Sequence, residues 1–248
     1  MLDVFFGVII PFVGTVLGST MVFFMKDKMN HKFEQLLLGF AGGVMFAASI
    51  WSLIIPAINH AESMGGLKFL PAFVGVILGV MIMLVFEAIL NKSHQETKSN
   101  AKMIFAITLH NIPEGLAVGV VLAELVYGNI ASVWVALALS VGIAVQNIPE
   151  GAIVSMPLKQ GGMSKAKAFS CGVLSGFVEP ISAVIAILLV GVISAALPYV
   201  LAMAAGCMIF VVVDEIIPEM QNEHGARVGT LGFVVGFLIM MVLDVIFG

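Results

Sequence analysis

Eight apolar runs, each long enough to cross a lipid bilayer, constrain the fold of this chain more than any other feature. A helix needs about 20 predominantly apolar residues to span about 30 Å of hydrocarbon. The runs fall at roughly 2–25, 35–59, 69–91, 103–126, 130–158, 166–193, 197–222 and 228–247. Only 10% of the residues are charged, against about 25% in soluble domains. The sequence therefore predicts an all-α, polytopic membrane protein in which residues 1–248 form a single bundle of eight transmembrane helices.

The basic residues predict how this bundle is oriented. Among the 11 Lys and Arg residues, all but Lys68 fall in one set of loops, and such loops usually stay in the cytosol. Both termini are therefore predicted to lie outside. The first run carries Asp3 and no basic segment before it, so it is interpreted as a span rather than a cleaved signal peptide. The sequence pI of about 5.7 gives no indication of nucleic-acid binding, and the expected surroundings are a lipid bilayer.

Two neighbouring spans carry nearly the same polar motif inside apolar sequence. The fourth reads HNIPEG at residues 110–115 and the fifth reads QNIPEG at residues 146–151, a period of 36. Residues three and four apart share one face of a helix, so the polar side chains of each motif point the same way. Ionisable groups inside a span are costly and normally face the bundle interior. The glycine after each glutamate leaves room there for a neighbouring helix.

Several of these side chains are predicted to reach the same depth. Glu114, Glu150, Glu179 and Met45 lie 9 to 13 residues from the nearest predicted cytosolic lysine, which is about 14–20 Å along a helix. Three carboxylates at one level repel one another unless protons or a cation neutralise them. With the imidazole of His110 they suit zinc, iron or manganese, whereas a thioether favours a softer ion. These residues are therefore candidate metal ligands.

Each candidate also has a plain structural alternative. A buried His or Glu is often a hydrogen-bonded packing residue. Asn111, Gln146 and Asn147 are as well suited to joining helices through hydrogen bonds as to binding a metal. Met45 is one of 16 methionines in the chain. The residues alone leave both roles open.

Two other functions compete with metal transport. An intramembrane metalloenzyme would need a motif such as HExxH and an open water position, and the sequence has neither near His110. A proton-coupled carrier of an organic cation would need aromatic walls, for which Trp51 and a few phenylalanines are the candidates. No enzymatic activity and no organic cofactor are therefore expected.

The HNIPEG and QNIPEG pair resembles the signature of the Zrt/Irt-like (ZIP) metal transporters of the prokaryotic type, and the resemblance covers the whole chain. It implies that zinc, or iron, manganese or cadmium, is carried as the substrate across the plasma (inner) membrane into the cytosol. It also implies a sliding motion of one helix bundle. A homodimer is compatible with it, and proton coupling is left open. The main site that it implies consists of Met45, His110, Glu114, Gln146, Glu150 and Glu179.

The same resemblance implies an adjacent second site lined by Asn111 and Asn147 together with the shared glutamates. Some bacterial members have Asp where Asn147 stands, so a second ion is expected to be held weakly here. Many members have His where Gln146 stands, which changes the strength or the ion preference of the main site. The segment VDEIIPE at 213–219 resembles the seventh span of the family. The acids of this segment are Asp214, Glu215 and Glu219. Together with Glu87 they either form an exit route for the ion or pair with loop lysines.

Overall fold

The protein is built from helices throughout the part of the chain that its structure, a computed structural model, describes. That part comprises residues 2–25, 30–93, 99–127, 133–192, 196–221 and 226–247, without the side chains of 90–93, 99–110, 135, 191–192, 226 and 247. The helices are α1 (Leu2–Phe24), α2 (His31–Ala48), α3 (Ile55–His60), α4 (Leu70–Ser93), α5 (Ser99–Tyr127), α6 (Val133–Gln160), α7 (Lys165–Gly176), α8 (Val178–Val192), α9 (Leu197–Val211), α10 (Ile217–Gln221) and α11 (Ala226–Phe247).

Seven segments within the described ranges are long and apolar enough to cross a membrane. They are Leu2–Phe24, His31–His60, Leu70–Ile89, Ala136–Gln160, Lys165–Val190, Leu197–Gln221 and Arg227–Ile246. The fourth predicted span falls on α5, a helix of 29 residues whose first side chains lie outside the description. The all-α, polytopic membrane architecture is thus confirmed. The count of eight spans and the outside position of both termini stay predictions.

Two of the spans are joined from shorter helices by a π-helical segment. Ser49–Ile54 links α2 to α3, and Val212–Ile216 links α9 to α10. Pro56 and Pro218 lie just beyond these segments, in the first turn of the helix that follows. A further break occurs at Phe177, where α7 ends and α8 begins. Sequence analysis predicted each of these spans as one run and did not predict the π turns.

The helices pack into two bundles. In the first bundle α1 lies along α6 and α5 lies along α8, with α7 against α1 and α6. In the second bundle α2 lies along α11 and α4 lies along α9, with α3 and α10 extending α2 and α9. Smaller contacts of α2 and α11 with α6, and of α5 with α9, join the two bundles.

Glycines bring helix backbones into direct contact inside each bundle. A Cβ on Gly14 of α1 would overlap the carbonyl oxygen of Ala144 on α6. A Cβ on Gly79 of α4 would overlap the carbonyl oxygen of Met203 on α9. No side chain larger than hydrogen fits at such positions unless the helices separate. Glycines four residues apart, such as Gly14 and Gly18 or Gly75 and Gly79, are the spacing that predicts close helix packing, and the structure confirms it.

The contact between α6 and α11, which joins the two bundles, places a glycine against a side chain rather than against a backbone. There Gly142 of α6 faces the sulfur and methyl group of Met240, at the end of a flexible side chain. Met240 is fully buried. A methionine side chain adapts its shape more readily than a backbone does. The contact between the bundles at Gly142 is therefore more easily deformed than the glycine contacts inside the bundles.

The loops with lysine mark one end of the molecule. Lys32 stands at the start of α2, Lys159 at the end of α6 and Lys165 at the start of α7. The ammonium group of Lys165 donates to the carbonyl oxygen of Phe23, near the end of α1, at 2.9 Å. We call this end of the molecule the lysine-rich end. His60, which ends α3, lies at the opposite end.

Candidate functional site

The two motif helices are joined by a hydrogen bond between a carboxylate and an amide. Glu114 of α5 is fully buried, and its Oε1 accepts from Nε2 of Gln146 on α6 at 2.9 Å. Oε2 of Glu114 and Oε1 of Gln146 have no hydrogen-bonding partner among the described residues. Leaving a buried acceptor unsatisfied costs about 1–3 kcal/mol. The pair therefore offers two oxygens to a positively charged ligand.

A second carboxylate and amide pair lies between α6 and α8. Oε2 of Glu179 accepts from Nδ2 of Asn147 at 2.7 Å, and Oε1 of Glu179 accepts from the hydroxyl of Thr15 on α1 at 2.8 Å. Nδ2 of Asn147 also donates to the carbonyl oxygen of Pro11 at 3.2 Å. Oδ1 of Asn147 is left without a partner in the described part of the chain. Three helices thus meet at Glu179.

The other motif residues extend the polar centre. Nδ2 of Asn111 donates to the carbonyl oxygen of Ser175 at 2.9 Å, while its Oδ1 is unpaired among the described residues. Oε1 of Glu150 is likewise unpaired. Glu114 is bonded to Gln146 and Glu179 to Asn147, two adjacent residues that precede Glu150 by one turn on α6, so the three carboxyl groups lie around one stretch of that helix. Their predicted meeting at one depth is thus supported by the structure.

Among the described residues of this centre, acceptor oxygens outnumber donors. Each of the three amides donates through its nitrogen, and its carbonyl oxygen has no partner in the described part of the chain. The unpaired oxygens are Asn111 Oδ1, Glu114 Oε2, Gln146 Oε1, Asn147 Oδ1 and Glu150 Oε1. Buried polar groups are almost always satisfied by protein or water, so an excess of acceptors at one place favours a cation. The donor set is the oxygen-rich one that hard and borderline divalent ions accept.

His110 stands on α5 one turn before Glu114, but its side chain lies outside the described residues. No three His, Cys, Asp or Glu side chains in the described part converge closely enough to hold a metal ion between them. The described arrangement is one of carboxylates bonded to amides and to a hydroxyl. Both roles that the sequence allowed for Gln146 and Asn147 therefore remain, since each donates across helices and each keeps a free oxygen.

A small cavity leads from this centre toward the lysine-rich end. It has a volume of about 80 Å³ and is lined by Met45 and Glu150 at its inner end and by Glu215 and Glu219 further along. One water molecule needs about 10–15 Å³ of such space, so the cavity has room for a hydrated metal ion. Of the acids predicted along an exit route, Glu87 and Asp214 are exposed and are not among its lining residues.

A larger cavity of about 310 Å³ lies toward the opposite end, with Trp51, Glu124 and Asp244 in its walls. Asp244 accepts a hydrogen bond from Ser52 and keeps its Oδ2 unpaired among the described residues. At this end Nε2 of His60 lies 2.8 Å from Oε1 of Glu124. Because α3 and α5 belong to different bundles, this contact ties the two bundles together. Sequence analysis did not predict it.

Thr15 is a side chain of this polar centre that was not identified from the sequence. It is 1% exposed and contacts Glu179, yet it belongs to the first span, which carries no motif. One signal was available: Thr15 is a hydroxyl residue between Gly14 and Gly18, the two glycines that predict a close helix contact. A polar side chain beside such a contact faces another helix rather than lipid.

Comparison with known proteins gives consistent matches. A family model described as ZIP Zinc transporter matches residues 100–244, more than half of the chain. Zinc transporter ZIP11 of Xenopus tropicalis is 33% identical, over 96% of this chain and 95% of that protein. Zinc transporter ZIPB of Bordetella bronchiseptica is 34% identical, over 96% of this chain and 79% of that protein. Zinc transporter GufA of Myxococcus xanthus is 32% identical, over 94% of each chain.

Proposed function

This chain belongs to the ZIP family of metal transporters, and we propose that it carries divalent transition-metal ions, zinc first among them, across the plasma (inner) membrane into the cytosol. It is an integral membrane protein, and its relatives are named as zinc transporters. The observation that carries the proposal is the cluster of buried, unpaired oxygens between α5, α6 and their neighbours. Iron, manganese and cadmium are further candidate substrates on the same donor chemistry.

The proposed main site consists of Met45, His110, Glu114, Gln146, Glu150 and Glu179. Binding there would use the free oxygens of Glu114, Gln146 and Glu150, with His110 adding a nitrogen ligand from the preceding turn of α5. Asn111 and Asn147 would serve an adjacent, weaker position through their free carbonyl oxygens. The cavity beside Met45 and Glu150 supports a path toward the lysine-rich end, with the acids Glu215 and Glu219 beside it.

The packing supports movement of the two bundles as separate bodies. Backbone contacts at glycines, such as Gly14 and Gly79, hold helices together inside each bundle. The main site belongs mostly to the first bundle, whereas Met45 belongs to the second. Sliding of the first bundle along the second would therefore carry the carboxylates away from Met45 and open the site to one side at a time.

Metal uptake into sealed vesicles tests the proposal. Purified protein in proteoliposomes is expected to accumulate Zn²⁺ and Cd²⁺, read by a trapped fluorescent indicator, at rates well above those of empty liposomes. Ca²⁺ and choline serve as control substrates, since neither takes the imidazole and thioether ligands that His110 and Met45 would add. Accumulation of choline but of no metal would favour the organic-cation alternative. Peptide hydrolysis by the purified protein would favour a metalloenzyme.

The second position gives a separate prediction about stoichiometry. Nδ2 of Asn147 lies 2.7 Å from Oε2 of Glu179, so Asn147→Asp replaces a donor by an anion beside another anion. Two unit charges of opposite sign 4 Å apart attract by several kcal/mol even at an effective dielectric near 20. The unmodified protein is therefore expected to hold one metal ion tightly per chain. Asn147→Asp is expected to hold two and to release them more slowly.

Elemental analysis of protein equilibrated with Zn²⁺ and then desalted measures this stoichiometry. Gln160→Glu is the matched control, because it makes the same chemical change at an exposed position at the end of α6. That variant is expected to keep one ion per chain. Two ions of equal affinity in the unmodified protein would show that the charge argument is wrong.

A further inference from the structure

Glu179 differs from the other two carboxylates because protein donors occupy both of its oxygens. Oε1 accepts from Thr15 at 2.8 Å and Oε2 accepts from Asn147 at 2.7 Å. Glu114 and Glu150 each keep one oxygen without a partner among the described residues. Hydrogen bonds to an ionised carboxylate are about twice as strong as those between neutral groups. Glu179 therefore loses more hydrogen-bond energy than Glu114 or Glu150 when it binds a cation.

Packing fixes the hydroxyl of Thr15 in this orientation. Thr15 is 1% exposed, and a Cβ on Gly176 of α7 would lie 2.7 Å from its methyl carbon and 2.9 Å from its hydroxyl oxygen. The hydroxyl of a helical threonine commonly bonds to the carbonyl four residues earlier. That carbonyl belongs to Pro11, and it accepts from Asn147 instead. The hydroxyl of Thr15 is thus directed to Glu179.

We propose that Thr15 is a positioning residue that competes with the transported metal for Oε1 of Glu179 and thereby weakens metal binding enough for the ion to be released. The inference rests on the proposed function, since it takes Glu179 as a ligand of the transported ion. Oε1 has two lone pairs, and a metal that takes the one directed at Thr15 displaces the hydroxyl proton. The favourable free energy of metal binding is reduced by the free energy of the lost hydrogen bond. A permeating ion must be bound weakly enough to leave, and α1 contributes to this although it supplies no ligand.

Three substitutions at Thr15 test the competition. Thr15→Val removes the donor and keeps the branched shape, Thr15→Ser keeps the donor, and Thr15→Ala removes it without adding an apolar methyl group. Binding of Zn²⁺ and of Cd²⁺ is measured on each purified protein by titration calorimetry. Thr15→Val and Thr15→Ala are expected to bind each ion about tenfold more tightly, because a hydrogen bond to a charged group no longer has to be broken. Thr15→Ser is expected to stay close to the unmodified protein.

Uptake kinetics separate this role from a purely structural one. Slower release with tighter binding lowers kcat and KM together, whereas a damaged fold lowers kcat alone. Unchanged or weaker affinity in both Thr15→Val and Thr15→Ala would overturn the inference, and so would a serine variant that behaves like the valine variant. Should Thr15→Val fail to fold, Thr15→Ala carries the same test. Failure of the unmodified protein to bind either ion would overturn the proposed function instead. Failure of the Thr15 inference alone leaves metal binding by the unmodified protein intact.

Discussion

Replacement of Glu114 by glutamine is expected to reduce zinc uptake to the level of empty vesicles while leaving the amount of folded protein unchanged. Glu114 is fully buried between α5 and α6, and its side chain has the same length and shape as glutamine. The substitution removes one negative charge from the three neighbouring carboxylates and leaves an amide beside Gln146. Attraction between a divalent ion and one fixed charge is worth several kcal/mol at short range, and every 1.4 kcal/mol is a factor of ten in affinity. We therefore expect the loss of uptake to exceed about 100-fold.

Glu62→Gln is the matched control, because it makes the same chemical change at an exposed residue of the segment Glu62–Leu67. This variant is expected to transport like the unmodified protein. Initial rates of Zn²⁺ uptake in proteoliposomes, normalised to the folded protein measured by size-exclusion chromatography, give the comparison. Full uptake by Glu114→Gln would mean that the centre between α5 and α6 is not the transport site.

Substitution of Gly79 is expected to have the largest effect on stability, without touching the proposed site. A Cβ at this position of α4 would overlap the carbonyl oxygen of Met203 and approach the backbone nitrogen of Cys207 at 2.7 Å. Backbone atoms of a helix cannot move aside singly, so α4 and α9 must separate along their whole contact. Overpacking commonly costs about 1–3 kcal/mol and sometimes more, and about 2–4 °C of Tm is lost per kcal/mol in a chain of this size.

We therefore expect Gly79→Ala to lower Tm by about 5 °C or more, and Gly79→Val to yield little monodisperse protein. Gly66→Ala is the control, since nothing lies within 4 Å of a Cβ built there. Tm from thermal unfolding in one detergent, together with the elution profile, measures both effects. Equal Tm values for the two alanine variants would show that the contact between α4 and α9 is looser than the structure has it.

The polar centre could be predicted from the sequence because its geometry follows from helix periodicity alone. Glu114 and Glu150 occupy equivalent places in two copies of one motif, and helix rise fixes their depth relative to the lysines. The hydrogen bonds that join Glu114 and Glu179 to adjacent residues of α6, one turn before Glu150, support that argument. The glycine spacing likewise predicted which faces approach closely, because it depends on side-chain size only.

What could not be predicted are contacts that depend on how spans are placed around one another. The hydrogen bond of Thr15 to Glu179 joins residues 164 positions apart, and no periodicity within α1 indicates it. The contact of His60 with Glu124 depends in the same way on the docking of two bundles. Only some of the four acids of the predicted exit route line the small cavity, and for two of them the reason is local. The π-helical segment Val212–Ile216 contains Asp214 and Glu215, and only Glu215 of these two lines the cavity.

The two π-helical segments also determine how the second bundle responds to mechanical load. Ser49–Ile54 and Val212–Ile216 interrupt two of the spans of that bundle that border the cavities, and α9 packs against the first of them. π turns are rare and are a common cause of helix kinks. Each of these spans is therefore two stiff α-helical segments joined by a π turn at which the helix bends more easily. A bend imposed at one end of such a span is taken up first at the π turn, so its two ends can change orientation separately.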